Sequence, residues 1–246
     1  MNRVTVMRVI AWIMAASAVA FGLFTIAFGI VSPAQEIHAV HNAVVASLLI
    51  VLSAPPAVAV ARAPDRSIRW LVILAAVAIA SLATMALSLT LDPFTLPFAV
   101  LVGVLWALVP SRAGVVPAGR PSLIMLAMVA LAAVPLVIYA LGQAELQRTD
   151  DSSEHAAFFH WVETSFYSLA VLLIGLLAAL RPAGFRLATW MAGVALAVLG
   201  GASVVLGGRA SALPEPWGWA AVLGGLAFLA VGSWEARRQP LAPERK

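Results

Sequence analysis

The chain has 246 residues, of which 63% are hydrophobic and 11% charged, with a formal net charge of +4 and a mean hydropathy of +1.00. A water-soluble globule is nearer half apolar and a quarter charged, so the composition excludes one and predicts an all-α polytopic membrane protein. The lack of cysteine excludes disulfides, thiolate metal ligation and thiol catalysis, and a basic balance scattered over short connecting segments supplies no nucleic-acid surface.

Eight apolar stretches are long enough to cross about 30 Å of hydrocarbon as helices. The first, 9–31, follows Arg3 and Arg8 and passes through Ala18-Val19-Ala20 in the manner of a secretory leader. It runs to Val31, too long for a cleaved segment, and is read as a span. The second, 38–61, opens on His38 and His41, follows Glu36, carries Pro55-Pro56 and ends at Arg62. Those prolines predict a kink or opening of the helical ladder. The third, 70–91, and the fourth, 94–110, are separated by Asp92-Pro93, and Pro93 and Pro97 cut into the start of the fourth. After 111–121 comes the fifth stretch, 122–142, with Pro135, and then a polar outer segment, 143–154, read as a mobile loop. The sixth, 157–180, starts beside His155 and His160 and ends before Arg181. The seventh, 187–207, holds Gly200-Gly201, and the eighth, 217–234, holds Gly224-Gly225. These glycine pairs predict close helix contacts. The stretches are continuously apolar rather than alternating, and in lipid each backbone amide must bond within its own segment, which requires helices.

With the N-terminus cytoplasmic, thirteen of the fifteen basic residues fall on cytoplasmic segments, all but Arg148 and Arg209. Both termini are therefore expected inside. Arg-rich, Lys-poor and Ala-rich usage suggests a bacterial GC-rich genome, and with it the inner membrane.

His41 to Arg62 and His160 to Arg181 are each 21 residues, the two pairs are offset by 119, and each Arg is followed closely by proline, Pro64 or Pro182. The spacing predicts two four-helix repeats, 1–112 and 121–237, with a short cytoplasmic tail, 238–246. Four spans per unit is an even number, so the repeats are expected to be parallel, related by an axis along the membrane normal.

All four histidines lie at the outer ends of the second and sixth stretches, so the repeat places His41 and His160 at one depth. On the sixth, His160, Glu163, Thr164 and Tyr167 stand at i, i+3, i+4 and i+7 and share one helical face. Glu163, a turn deeper than His160, is expected to be the least solvated acid. On the second stretch His38 and His41 are also at i, i+3, preceded by Glu36 and followed by Asn42. Paired imidazole and carboxylate ligands on two helices can build a bundle metal site. The candidate ligands are His38, His41, His155, His160, Glu163 and Glu36, and without sulfur they favour zinc, copper(II) or iron. Alternatively, His41 and His160 suit a bis-histidine haem b. The plainer reading is that these groups sit where water begins and simply titrate there. No ionisable residue lies near the centre of a predicted span, which argues against a charge-driven transporter. Trp161, Trp217 and Trp219 at the outer boundary, with Trp70, Trp106, Trp190 and Trp234 at the inner one, read as an aromatic belt.

Eight helices in two halves, with histidines at the outer ends of the second and sixth and the acid-to-histidine run Glu36–His41 after the first, resemble the architecture of haem A synthase. That family also carries histidines on its fourth and eighth helices, where this chain has none, so the likeness is one of topology. No phosphate loop, nucleophile elbow or nucleotide fingerprint is present. The expected role is metal or haem handling or membrane redox chemistry. The alternatives are a small-molecule or lipid permease using the proline-kinked helices, and a non-catalytic assembly or scaffold subunit. The bilayer is the expected partner, with a homo-oligomer or a membrane-complex partner left open.

Overall fold

The computed structural model describes residues 2–31, 38–109, 120–182 and 184–238. They form α1 (Arg3–Val31), α2 (Ala39–Ser47), α3 (Ala54–Arg62), α4 (Ile68–Ser88), α5 (Leu96–Leu108), α6 (Leu123–Thr149), α7 (Glu154–Ala157), α8 (His160–Leu180), α9 (Phe185–Val205) and α10 (Glu215–Arg238), with no strand among the described residues. A π-helical segment, Leu48–Ser53, joins α2 to α3, so Ala39–Arg62 is one continuous apolar rod. Among the described residues, seven helices are long and apolar enough to cross a membrane. The fourth expected span is the short one: α5 has 13 residues, about 20 Å at 1.5 Å per residue.

Why the second rod widens follows from its prolines. Pro55 and Pro56 lack the amide hydrogens that carbonyls one turn earlier would accept. The ladder loosens just before them, and the Ser53 hydroxyl donates to the Leu48 carbonyl at 2.9 Å, a local closure of a kind found where a π-turn is inserted.

The bundle is built around α8. Of its most apolar window 72% is buried, against 17% for α6. The helix α8 packs on α4, α6, α9 and α2. Other neighbours come in corresponding pairs: α1 lies on α2 and α3 as α6 lies on α8, α4 on α5 as α9 on α10, and α4 on α8 as α9 on α2. The outward faces of α1 and α6 are apolar, with Phe21 63%, Leu131 78% and Ile138 65% exposed, surfaces suited to lipid rather than to water.

Of the expected glycine contacts, half are made. A Cβ on Gly200 would stand 2.6 Å from the Val222 amide nitrogen and against the Gly218 carbonyl, and one on Gly225 would stand 2.5 Å from the Gly193 carbonyl. Gly201 faces open space, and Gly224 meets only a Leu196 methyl at an ordinary 3.8 Å. Thus α9 and α10 cross backbone to backbone along Gly193 and Gly200 on one side and Gly218 and Gly225 on the other.

Two expectations are corrected. The segment 143–149 is not a loop: it completes α6, because Gln143 and Ala144 are buried and Glu145 is paired with Arg148 one turn on. Only Asp150–Ser153 connects α6 to α7. The two His-to-Arg spans also end differently. Arg62 is exposed, whereas Arg181 is 5% exposed with Nη1 3.5 Å from Glu235 Oε2, a carboxylate that also accepts the Ser122 hydroxyl at 2.7 Å. Arg181 thereby fastens α8 to α6 and α10 at the end of the bundle opposite the histidines. The expected boundary between repeats, 111–121, lies mostly outside the described residues, as does nearly all of the expected tail, 238–246.

Candidate metal centre

The four histidines meet. His38 caps the start of α2 and His41 lies in its first turn, His155 is on the single turn α7, and His160 opens α8. The α7–α8 junction is a sharp corner because Phe159 adopts a left-handed backbone, φ 63°, and that turn directs His155 and His160 back toward α2. The His41 and His160 rings stack with centroids 3.7 Å apart and an interplanar angle of 25°. His160 Nδ1 lies 3.1 Å from His38 Nδ1, and the His38 and His155 ring centroids are 4.4 Å apart. His38, His41 and His155 are all buried, and His160 is half-buried.

Glu163 comes to the same place. Its Oε2 is 3.0 Å from His41 Nε2, with 12% of the side chain exposed. Two ligand sets result, His38/His155/His160 and His41/His160/Glu163, each with its ligand atoms all within 4.8 Å of one another. His160 belongs to both. Among the described residues the buried His41 Nδ1 has no hydrogen-bond partner, a cost that native structures seldom leave uncompensated. Glu36, the remaining proposed ligand, lies outside the described residues.

The polar stripe on α8 divides its partners. His160 and Glu163 face α2. Thr164 instead places its hydroxyl 3.0 Å from Gln143 Oε1 on α6. The Tyr167 hydroxyl donates to the Ala195 carbonyl of α9 at 2.7 Å and sits 2.7 Å from Ser47 Oγ of α2. These bonds fix the rotation of α8 about its axis and hence the direction in which His160 and Glu163 point.

Three residues that take part were not singled out as site residues. Glu154 places Oε2 3.4 Å from His38 Nε2, and its adjacency to His155 was the available signal. Trp161 is not a belt residue: it is 7% exposed, stacks on His155 at 4.7 Å and donates its indole N–H to Asp150 at 3.3 Å. Asp92, at 0% exposure, displaces Glu163 as the most enclosed acid among the described residues. It accepts the Phe94 amide at 2.8 Å and the Thr95 hydroxyl at 2.7 Å, an Asx turn legible in Asp92-Pro93-Phe94-Thr95. Outside the spans, Asp150 is held below the usual carboxylate range, chiefly by the Ser153 hydroxyl and further by the Trp161 indole.

The stacked pair limits what can bind. A bis-histidine haem needs a porphyrin plane between its two imidazoles, and rings 3.7 Å apart leave no such gap. A compact cation needs only nitrogen and oxygen atoms within a few ångströms of one another, which both ligand sets supply. No family model, curated protein or solved structure matches the chain, so the likeness to haem A synthase rests on expected helix count and histidine placement alone.

Proposed function

We propose that this is a bacterial inner-membrane protein that holds a transition metal ion at the histidine end of its bundle and serves in metal handling or membrane redox chemistry. The observation that carries the reading is the convergence of His41, His160 and Glu163 within 4.8 Å, with His38 and His155 forming a second set around the shared His160. Imidazole and carboxylate ligands without sulfur suit zinc, copper(II) or iron. His41, His160 and Glu163 form the primary set because their carboxylate offsets the ion's charge in a poorly solvated place. The neutral set of His38 and His155 extends it, with Glu154 orienting His38 and Trp161 orienting His155, as ligating imidazoles usually require.

The wider arrangement belongs to the same proposal. Eight spans form two parallel repeats, with α5 crossing as the fourth, and the paired packing of α4 on α8 and α9 on α2 supports that symmetry. The excess of arginine on alternate connections supports cytoplasmic termini and an outward-facing site.

The test is metal content. Purified protein exposed in turn to zinc, copper(II) and iron(II), then desalted, is expected to retain at least one ion of one of these metals per chain. His41→Ala combined with His160→Ala is expected to retain none while keeping its helical content. Retention by the double variant, or no uptake of any of the three by the native chain, refutes the reading.

A further inference from the structure

A cavity of about 770 Å³ lies beneath the histidine cluster, between α1, the α2/π rod and α5. Its volume is within the usual range for a small-molecule site, roughly 300–1,000 Å³. It is long and has one polar end. His38, His41, His160, Glu163 and Asn42 line the head, and the apolar walls run down α1 from Phe28 to Ile13, about 22 Å along the helix. The π-helical segment contributes Leu48, Leu49 and Ser53 to the wall, so the widened turn before Pro55-Pro56 shapes this chamber. Around the head the rim is aromatic and open to its surroundings: Phe24 is 60%, Phe94 64% and Phe158 55% exposed.

We infer that this cavity binds a neutral ring-headed lipid of the quinone class, a ring bearing carbonyl or hydroxyl groups on a long hydrocarbon tail, with the ring beside the metal-bearing histidines. Three features select that chemistry. Among the described residues no Lys or Arg lines the cavity, so no protein cation holds the phosphate of a phospholipid. Asn42 belongs to the lining, and its buried Nδ2 has no hydrogen-bond partner among the described residues, a donor that a rotation of the side chain would bring to a ring carbonyl, while Glu163 can accept from a ring hydroxyl. The flanking phenylalanines offer faces on which a flat ring stacks, and the depth below them matches a tail of many carbons. The inference rests on the metal reading only in placing the ring next to the ion; the cavity's fit to its occupant is independent of it.

The probe is decylubiquinone added to purified protein in phospholipid nanodiscs, with binding followed by tryptophan quenching and metal content measured on the same samples. Saturable binding of one molecule per chain is expected, with the tail-free ring 2,3-dimethoxy-5-methyl-1,4-benzoquinone bound at least tenfold more weakly. Asn42→Leu is expected to weaken decylubiquinone about fivefold and Ala18→Phe, which fills the tail channel, at least tenfold, both without changing metal content. The inference is overturned if metal-loaded protein does not bind the probe, if ring and tailed quinone bind equally, if both variants bind as the native chain does, or if excess anionic phospholipid displaces the quinone. Quinone binding by a chain that takes up no metal would sink the metal reading alone and leave the cavity assignment standing.

Discussion

A single methyl group at Gly200 should separate α9 from α10. Its carbon would lie 2.6 Å from the Val222 amide nitrogen, 2.9 Å from the Ala221 Cβ and against the Gly218 carbonyl, whereas carbon contacts settle near 3.5–4.0 Å, so the helices must move apart by roughly 1 Å. Two of those obstacles are backbone atoms, which cannot rotate away. Overpacking of this kind costs about 1–3 kcal/mol, and the upper part of that range applies here. At about 2–4 °C per kcal/mol for a chain of this size, Gly200→Ala should lower Tm by about 5–10 °C. The control is one residue away. Gly201 has nothing within 4 Å of a built Cβ, and alanine there removes the helix penalty of glycine, so Gly201→Ala should leave Tm unchanged or raise it slightly. The assay is thermal unfolding of both variants in one detergent. Equal melting of Gly200→Ala and Gly201→Ala would refute the backbone-to-backbone crossing.

The two ligand sets predict an order of effects in metal titrations. Structural zinc sites with four ligands are worth about 10–16 kcal/mol, or roughly 3–4 kcal/mol for each ligand and about 100–1,000-fold in affinity. His160→Ala, which depletes both sets, should therefore weaken binding more than His41→Ala or His155→Ala, and equal losses at all three would count against the shared ligand. Protons compete with the ion for imidazole lone pairs, so bound metal should be released on sufficient acidification and taken up again on return to neutral pH, and uptake that is the same at every pH at which the helices persist would be inconsistent with histidine ligation. Asp150 titrates below its unfolded value, so its contribution is present above about pH 3.9 and disappears only as pH falls through the depressed folded value. The fluorescence component abolished by Trp161→Phe should accordingly persist through pH 4; a midpoint at or above the ordinary carboxylate value would contradict the Asp150 hydrogen bonds.

The sequence made the membrane helices legible because composition alone requires them, and their ends were off mainly where polarity misled. Gln143–Thr149 looks like a loop by hydropathy, yet its helix-forming residues continue α6 with Gln143 turned inward. Pro55-Pro56 signalled a disturbed helix, but nothing in the linear chain says that the preceding carbonyls yield by widening into a π-turn and so shape a chamber. At the site, the matched spacing put His41 and His160 at one depth. Their lateral approach was not encoded by spacing, since it depends on α8 seating against α2 through Tyr167 and Ser47. Trp161 and Glu154 were hidden for a related reason: a tryptophan at a boundary and an acid in a connector both have common solvent- or interface-facing explanations, and only the corner at Phe159 turns them toward the imidazoles. Asp92 was hidden by its place next to proline, where an acid usually marks a turn; here it does that and is also fully enclosed.

The central claim, that the histidine end coordinates a metal, is tested most directly by X-ray absorption on the metal-loaded protein. The account predicts a shell of nitrogen and oxygen at about 2.0–2.2 Å with outer scattering from at least two imidazole rings and no sulfur, and the loss of that imidazole signal in the variant carrying both His41→Ala and His160→Ala. An ion whose coordination is the same in the native chain and in that variant would contradict it.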